Sequence, residues 1–112
     1  MPDPDPRKDQ LAGVLEMLVL RTLTLGPAHG YAIARHIERL SEDVLKVEQG
    51  SLYPALDRLL RRGWVTAKWK KTPTGREARY YTITAAGRRQ LGEKISSFDR
   101  VLAAIEAVMR GA

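Results

Sequence analysis

Residues 48–64 read EQGSLYPALDRLLRRGW. Leu52, Leu56, Leu59 and Leu60 recur at helical spacing, with Pro54 among them. In a helix interior a proline costs about 3 kcal/mol, but in the first turn the amides have no intrahelical acceptor and the proline removes nothing. With Ser51 as N-cap, Leu52, Tyr53 and Pro54 fill the first three helical positions, so the spacing predicts a helix that starts just before Tyr53. Gly63 suits the position after its end, and Arg61 and Arg62 suit the negative pole of its dipole. Opposite the leucines, Tyr53, Pro54, Asp57, Arg58 and Arg61 face outward. The stretch is therefore a short amphipathic helix with a polar, largely cationic outer face.

Upstream, Leu11, Val14, Leu15, Leu18 and Leu25 follow a helical pattern with further leucines at 20 and 23. A helix apolar on more than one side is expected to lie between two partners. Asp9 is its expected N-cap, and Gly26 and Pro27 its stop. Residues 1–8, which alternate proline and aspartate over 2–6, are expected to form a disordered tail. A second helix is expected over residues 29–40, with Ile33, Ala34, Ile37 and Leu40 inward and Arg35, Glu38 and Arg39 outward. Residues 41–50 are a connection in which Val44–Val47 could form a short strand.

Downstream, WVTAKWKK (64–71) and ARYYTI (78–83) alternate with period two around the turn residues TPTG, which predicts a β-hairpin. Thr84 then caps a long helix reaching about Arg110. Its Leu91, Ile95, Phe98, Leu102, Ile105 and Met109 are spaced 4, 3, 4, 3, 4, a heptad seam widened by Val101 and Val108. Gly87 and Gly92 should each weaken that helix by about 1 kcal/mol relative to alanine.

At 112 residues the chain is one domain's length, and 44% apolar content suits a packed core. The absence of cysteine excludes disulfides and thiolate metal sites and fits a cytoplasmic protein. No signal peptide is visible, and residues 11–25 contain Glu16 and Arg21 and are too short to span a bilayer, so no membrane role is expected. Of the formal net charge of +6, the window Arg58–Arg89 carries ten basic residues against Glu77 alone, or +9, leaving −3 for the rest. Such asymmetry points to a polyanionic partner.

Three helices, a basic hairpin and a long helix define a mainly α fold with a small β-hairpin: a winged helix-turn-helix DNA-binding domain at 9–83 and a C-terminal dimerisation helix at 84–112. In such a domain the third helix enters the major groove. Gln49, Ser51, Tyr53 and Arg58 are the expected groove residues, with Arg61 on the same face. Lys68, Lys70, Lys71, Arg76 and Arg79 are the expected phosphate contacts of the wing. The seam residues are the expected dimer contacts, because two-fold symmetry matches a palindromic site.

HGYAIARHI (29–37), GSLYPALDRLLRRGWV (50–65) and RYYTITAAGRRQL (79–91) resemble the PadR family of bacterial transcriptional regulators. The likeness covers about residues 11–110 and matches the short subfamily with one C-terminal helix. It implies a homodimeric repressor of inverted-repeat double-stranded DNA operators. It also implies that Tyr53 lies on the recognition helix, that the first helix assists dimerisation, and that an aromatic small-molecule effector controls binding. Leu60 departs from the family pattern, in which many members carry glutamate there.

Blander readings stand beside these. Tyr53 could pack instead of touching DNA. Trp64 and Trp69 could form a ligand platform, though filling the inner face of the hairpin is the expected role. His29 and His36 lie two turns apart without carboxylates at ligand spacing, so local capping is expected of His29 and no metal site. Asp57 and Glu77 are expected to pair with neighbouring cations. No nucleophile–base pair or phosphate loop is present, so no enzyme is expected. A winged-helix module that binds protein or RNA without an operator is the alternative function.

Overall fold

The computed structural model describes residues 6–111. Its order is α1 (Pro6–Leu23), β1 (Ala28–His29), α2 (Gly30–Leu40), α3 (Gln49–Arg61), β2 (Val65–Lys71), β3 (Glu77–Ile83) and α4 (Ala85–Met109). The fold is the mainly helical winged helix-turn-helix expected, with the hairpin extended to three antiparallel strands in the order β1-β3-β2. β1 was not anticipated, since two residues carry no period; Ala28 and His29 pair with Tyr81 and Tyr80.

Several boundaries differ from expectation. α1 is helical from Pro6, so residues 6–8 are not tail and Asp9 lies within the helix; residues 1–5 fall outside the described chain. Proline's fixed φ suits a first helical position. α1 stops at Leu23, ahead of Gly26, and Leu25 is exposed. The Val44–Val47 segment is no strand. Glu42 and Asp43 take positive φ of 51° and 63°, and the Val47 amide donates to the Glu38 carboxylate at 3.0 Å. Glu38 is thus the anchor of the α2–α3 connection.

α3 begins at Gln49 with Glu48 as N-cap, not at Ser51, and Glu48 makes no side-chain cap bond. Pro54 is consequently the sixth helical residue, where its missing N–H would have met the Gly50 carbonyl. Gly50 is exposed, so water can take that oxygen. The price of the proline is therefore small because it sits on the outer face.

Val19, Leu20, Leu23, Ile33, Leu52, Leu56, Leu59 and Val65 are the innermost side chains, with Tyr81, Ile83 and Leu91 closing the core from the sheet and α4. Leu60 packs against this cluster, which accounts for its apolar character. Gly63 (φ 75°) turns the chain from α3 into β2, and the Trp64 amide returns to the Leu59 carbonyl at 3.0 Å. At the tip of the wing the Gly75 amide reaches the Thr72 carbonyl at 2.9 Å with Gly75 at φ 87°, a left-handed residue that lets β3 leave in register.

The N-terminus of α4 is fastened to the α3–β2 junction. Thr84 is its N-cap, accepting from the Gly87 amide at 3.0 Å, while its hydroxyl donates to the Gly63 carbonyl at 2.8 Å. The Thr84 amide reaches the Trp64 carbonyl at 3.0 Å. Gly87 faces that same carbonyl so closely that a Cβ there would stand 2.1 Å from the oxygen. The glycine that lowers helix propensity thus permits the approach of α4. Leu91 belongs to the core of its own chain at 7% exposure, which corrects its expected place on a dimer seam. Beyond Lys94, α4 projects from the body, and the molecule measures 56 × 31 × 31 Å.

Candidate nucleic-acid interface

α3 packs on β2 and leaves an outer stripe exposed. Gln49, Ser51, Tyr53, Asp57 and Arg61 are exposed there. Tyr53 is 44% exposed, and its ring also packs on Gly30 at the start of α2, where a Cβ would stand 3.1 Å from the hydroxyl. Packing and exposure are therefore both true of Tyr53: one ring edge is held by α2 while the rest faces out. Gly30 is placed by His29, the N-cap of α2, whose Nδ1 accepts from the Ala32 amide at 3.2 Å. The expected capping role of His29 is observed, and its ring also meets Tyr80 edge-on at 5.2 Å. Among the described residues no three potential metal ligands cluster.

Arg58 departs from expectation. Its Nε donates to Glu16 Oε2 at 2.9 Å, and Arg62 Nη1 donates to Glu16 Oε1 at 2.8 Å. Lys94 Nζ of α4 stands 3.6 Å from the same Oε1. Glu16 is only 4% exposed, so one buried carboxylate on α1 ties α3 and α4 together. Arg62 and Lys94 also lie 5.0 and 5.5 Å from the Trp64 ring centroid. Arg58 is held in this knot by Glu16 with its side chain 29% exposed. A glutamate within an apolar helix was the available sequence signal: such a charge is buried only when paired. Asp57 and Glu77, by contrast, have no ion-pair partner among the described residues.

The wing carries the other cations. Lys68, Lys70, Lys71 and Arg76 are exposed, and Arg79 is partly so. Lys68 pairs across with Tyr80, and the Lys70 ammonium lies 4.7 Å from the Tyr80 ring centroid. Arg79 sits 5.9 Å from the Tyr81 ring centroid on the opposite sheet face. Burial, above all, pushes the Tyr81 phenol up from its usual 10.0; Arg79 opposes this, while Asp57 and Tyr53 of α3 add to it. Trp64 is half-buried against the core as expected, but Trp69 is 64% exposed, because the hairpin runs past the helices that cover its base.

Two further surfaces lie outside this interface. A groove of about 510 Å³ runs between α1, the α2–α3 connection and the first turns of α3, lined chiefly by Val14, Leu15, Leu18, Ile37, Val47 and Pro54. The distal half of α4 exposes Ile95, Phe98, Leu102, Ile105 and Met109 by 39–79%, alongside Val101 and Val108. No described helix is long and apolar enough to cross a membrane.

Solved structures share this architecture. A transcriptional regulator from Clostridium thermocellum superposes with a TM-score of 0.80 at 22% identity, covering 88% of this chain and 96% of its own. A PadR-like transcriptional regulator from Bacillus cereus gives 0.75 at 27% identity, covering 93% and 99%. Bacillus subtilis PadR in complex with operator DNA gives 0.65 at 26% identity over 73% of this chain, which spans 46% of that longer protein. The model of the transcriptional regulator PadR-like family matches residues 19–93, from the end of α1 through the wing to the docked part of α4. Fold, wing and family model agree: the chain belongs to the PadR-like family of transcriptional regulators, a family of regulators and not of enzymes.

Proposed function

We propose that the protein is a cytoplasmic homodimeric repressor that binds an inverted-repeat operator in double-stranded DNA. The reading rests on one coincidence. The +9 segment of the chain runs from the end of α3 through the wing, and the wing's lysines and the outer stripe of α3 are both exposed. Gln49, Ser51 and Tyr53 then meet base edges or the groove wall, while Arg61, Lys68, Lys70, Lys71, Arg76 and Arg79 neutralise phosphates. Arg58 supports α3 from behind through Glu16. The apolar seam of α4 from Ile95 to Met109 joins two such units, so that paired recognition helices face successive major grooves. Repression follows from occupancy of a promoter by such a dimer. The groove between α1 and α3 suits a small aromatic effector with a polar group, because its walls are mostly apolar with Lys46, Glu48, Ser51 and Arg58 among them, and it adjoins the first turn of the recognition helix.

Titrating a duplex from the region upstream of its own reading frame at two salt concentrations tests the reading. Phosphate contacts release counterions, so affinity should fall roughly a thousandfold between about 50 and 200 mM salt. Equal affinity at both, or equal affinity for single strands, would favour the protein- or RNA-binding alternative.

A further inference from the structure

Trp69 is an indole that the core leaves uncovered. Along the helix-side face of the wing, the cross-strand pairs run Val65–Ile83, Ala67–Tyr81 and Trp69–Arg79. Val65, Ile83 and Tyr81 are buried and Ala67 packs against the core, but the next pair lies beyond the helices. One pair spacing along a strand is about 7 Å, so Trp69 stands just past the covered part of the sheet. Arg79 lies directly across from it, the Lys71–Glu77 pair comes next on the same face, and Lys68 and Lys70 project from the other face of β2. An apolar ring that shares its face with Arg79 and Lys71, on a strand that carries two more lysines on its other face, suits a partner that is both anionic and flat-walled, as a sugar–phosphate strand is. A protein partner with an apolar patch would have to desolvate those cations without neutralising them.

The face is continuous with the recognition helix. Tyr81, next in line after Trp69–Arg79, lies in the same core cluster as Leu52, Leu56 and Leu59 of α3. A strand lying between α3 and the wing would touch Tyr53 on one side and Trp69 on the other.

We propose that Trp69 is a DNA-contacting residue of the wing, its ring laid against the deoxyribose wall of the groove next to the one α3 enters and its Nε1–H directed to a phosphate. This rests on the DNA-binding reading above and extends it to a residue that carries no charge. The chain has a second indole, Trp64, which is half-buried behind α3 and serves as the internal reference.

The test pairs affinity with fluorescence in the full-length protein. Anisotropy of a labelled upstream duplex reports binding, and acrylamide quenching of the two indoles, with and without unlabelled duplex, reports protection. Duplex DNA should shield the wild-type protein from quencher, and the shielding should vanish in Trp69→Phe, which retains Trp64. Trp69→Ala should bind roughly tenfold more weakly, as loss of an aromatic platform does, with unchanged thermal unfolding because the ring is exposed. Duplex binding with no shielding, or shielding that persists in Trp69→Phe, would overturn the assignment of Trp69 while leaving DNA binding intact. Absence of duplex binding by anisotropy would overturn both.

Discussion

The two halves of α4 belong to different structures although they form one unbroken helix. From Ala85 to Lys94 the helix is part of the monomer: Gly87 abuts the Trp64 carbonyl, Leu91 enters the core and Lys94 reaches Glu16. From Ile95 to Met109 every apolar side chain of the seam is at least 39% exposed. A soluble protein rarely leaves such a continuous apolar strip uncovered. The contrast teaches that a single heptad pattern can serve two purposes. Its first member anchors the helix to the core, and the remainder stays exposed, free for the partner proposed above. Because the anchor also grips the end of α3 through Thr84 and Gly63, a change in how two distal halves cross in the proposed dimer would be carried to α3 as by a rigid lever.

The comparison can be broken most severely at Gly87. A methyl group there has no room beside the Trp64 carbonyl, so Gly87→Ala should destabilise the fold by about 3 kcal/mol, seen as a lowered urea midpoint at fixed protein concentration. Next comes the ionic link. Glu16→Gln leaves Arg58, Arg62 and Lys94 without a counter-charge, but these cations retain 23–46% exposure. The loss should therefore be about 1–2 kcal/mol, below that of a fully buried pair. Arg58→Ala should likewise appear in stability, not in loss of one phosphate contact from the salt slope. The smallest effect has the opposite sign. Gly92 lies on the polar side of the same helix with nothing within 4 Å of a Cβ, so Gly92→Ala should raise stability by about 1 kcal/mol. Two glycines five residues apart in one helix would then respond oppositely to the same substitution.

Much of this was legible beforehand, and the failures have physical reasons. Periodicity located the helices and the hairpin because amphipathic faces must repeat. Thr84 was recognisable as a cap because its chemistry is local. The start of α3 was misplaced because Ser51 looked like a cap and Pro54 like a first-turn residue; an exposed proline is tolerated deeper than the rule suggests. The ion pair of Arg58 is not legible in the sequence because its partner, Glu16, is 42 residues away and no spacing rule links them. Leu91 and Ile95 look alike in the seam; only tertiary packing separates the anchored residue from the exposed one. Trp69 alternates correctly for an inner face, but a strand's period cannot tell where the helices beneath it end.

The most direct measurement concerns the distal half of α4. Sedimentation equilibrium should be run on the wild type and on a Phe98→Asp, Ile105→Asp variant, each followed by titration with a full palindrome and with one half-site. The wild type should be a dimer at micromolar concentration that prefers the full site. The variant should be a folded monomer that holds both DNAs equally and weakly. A wild type that sediments as a monomer, or a variant that stays dimeric and still prefers the palindrome, would contradict the assignment of that surface to a second copy.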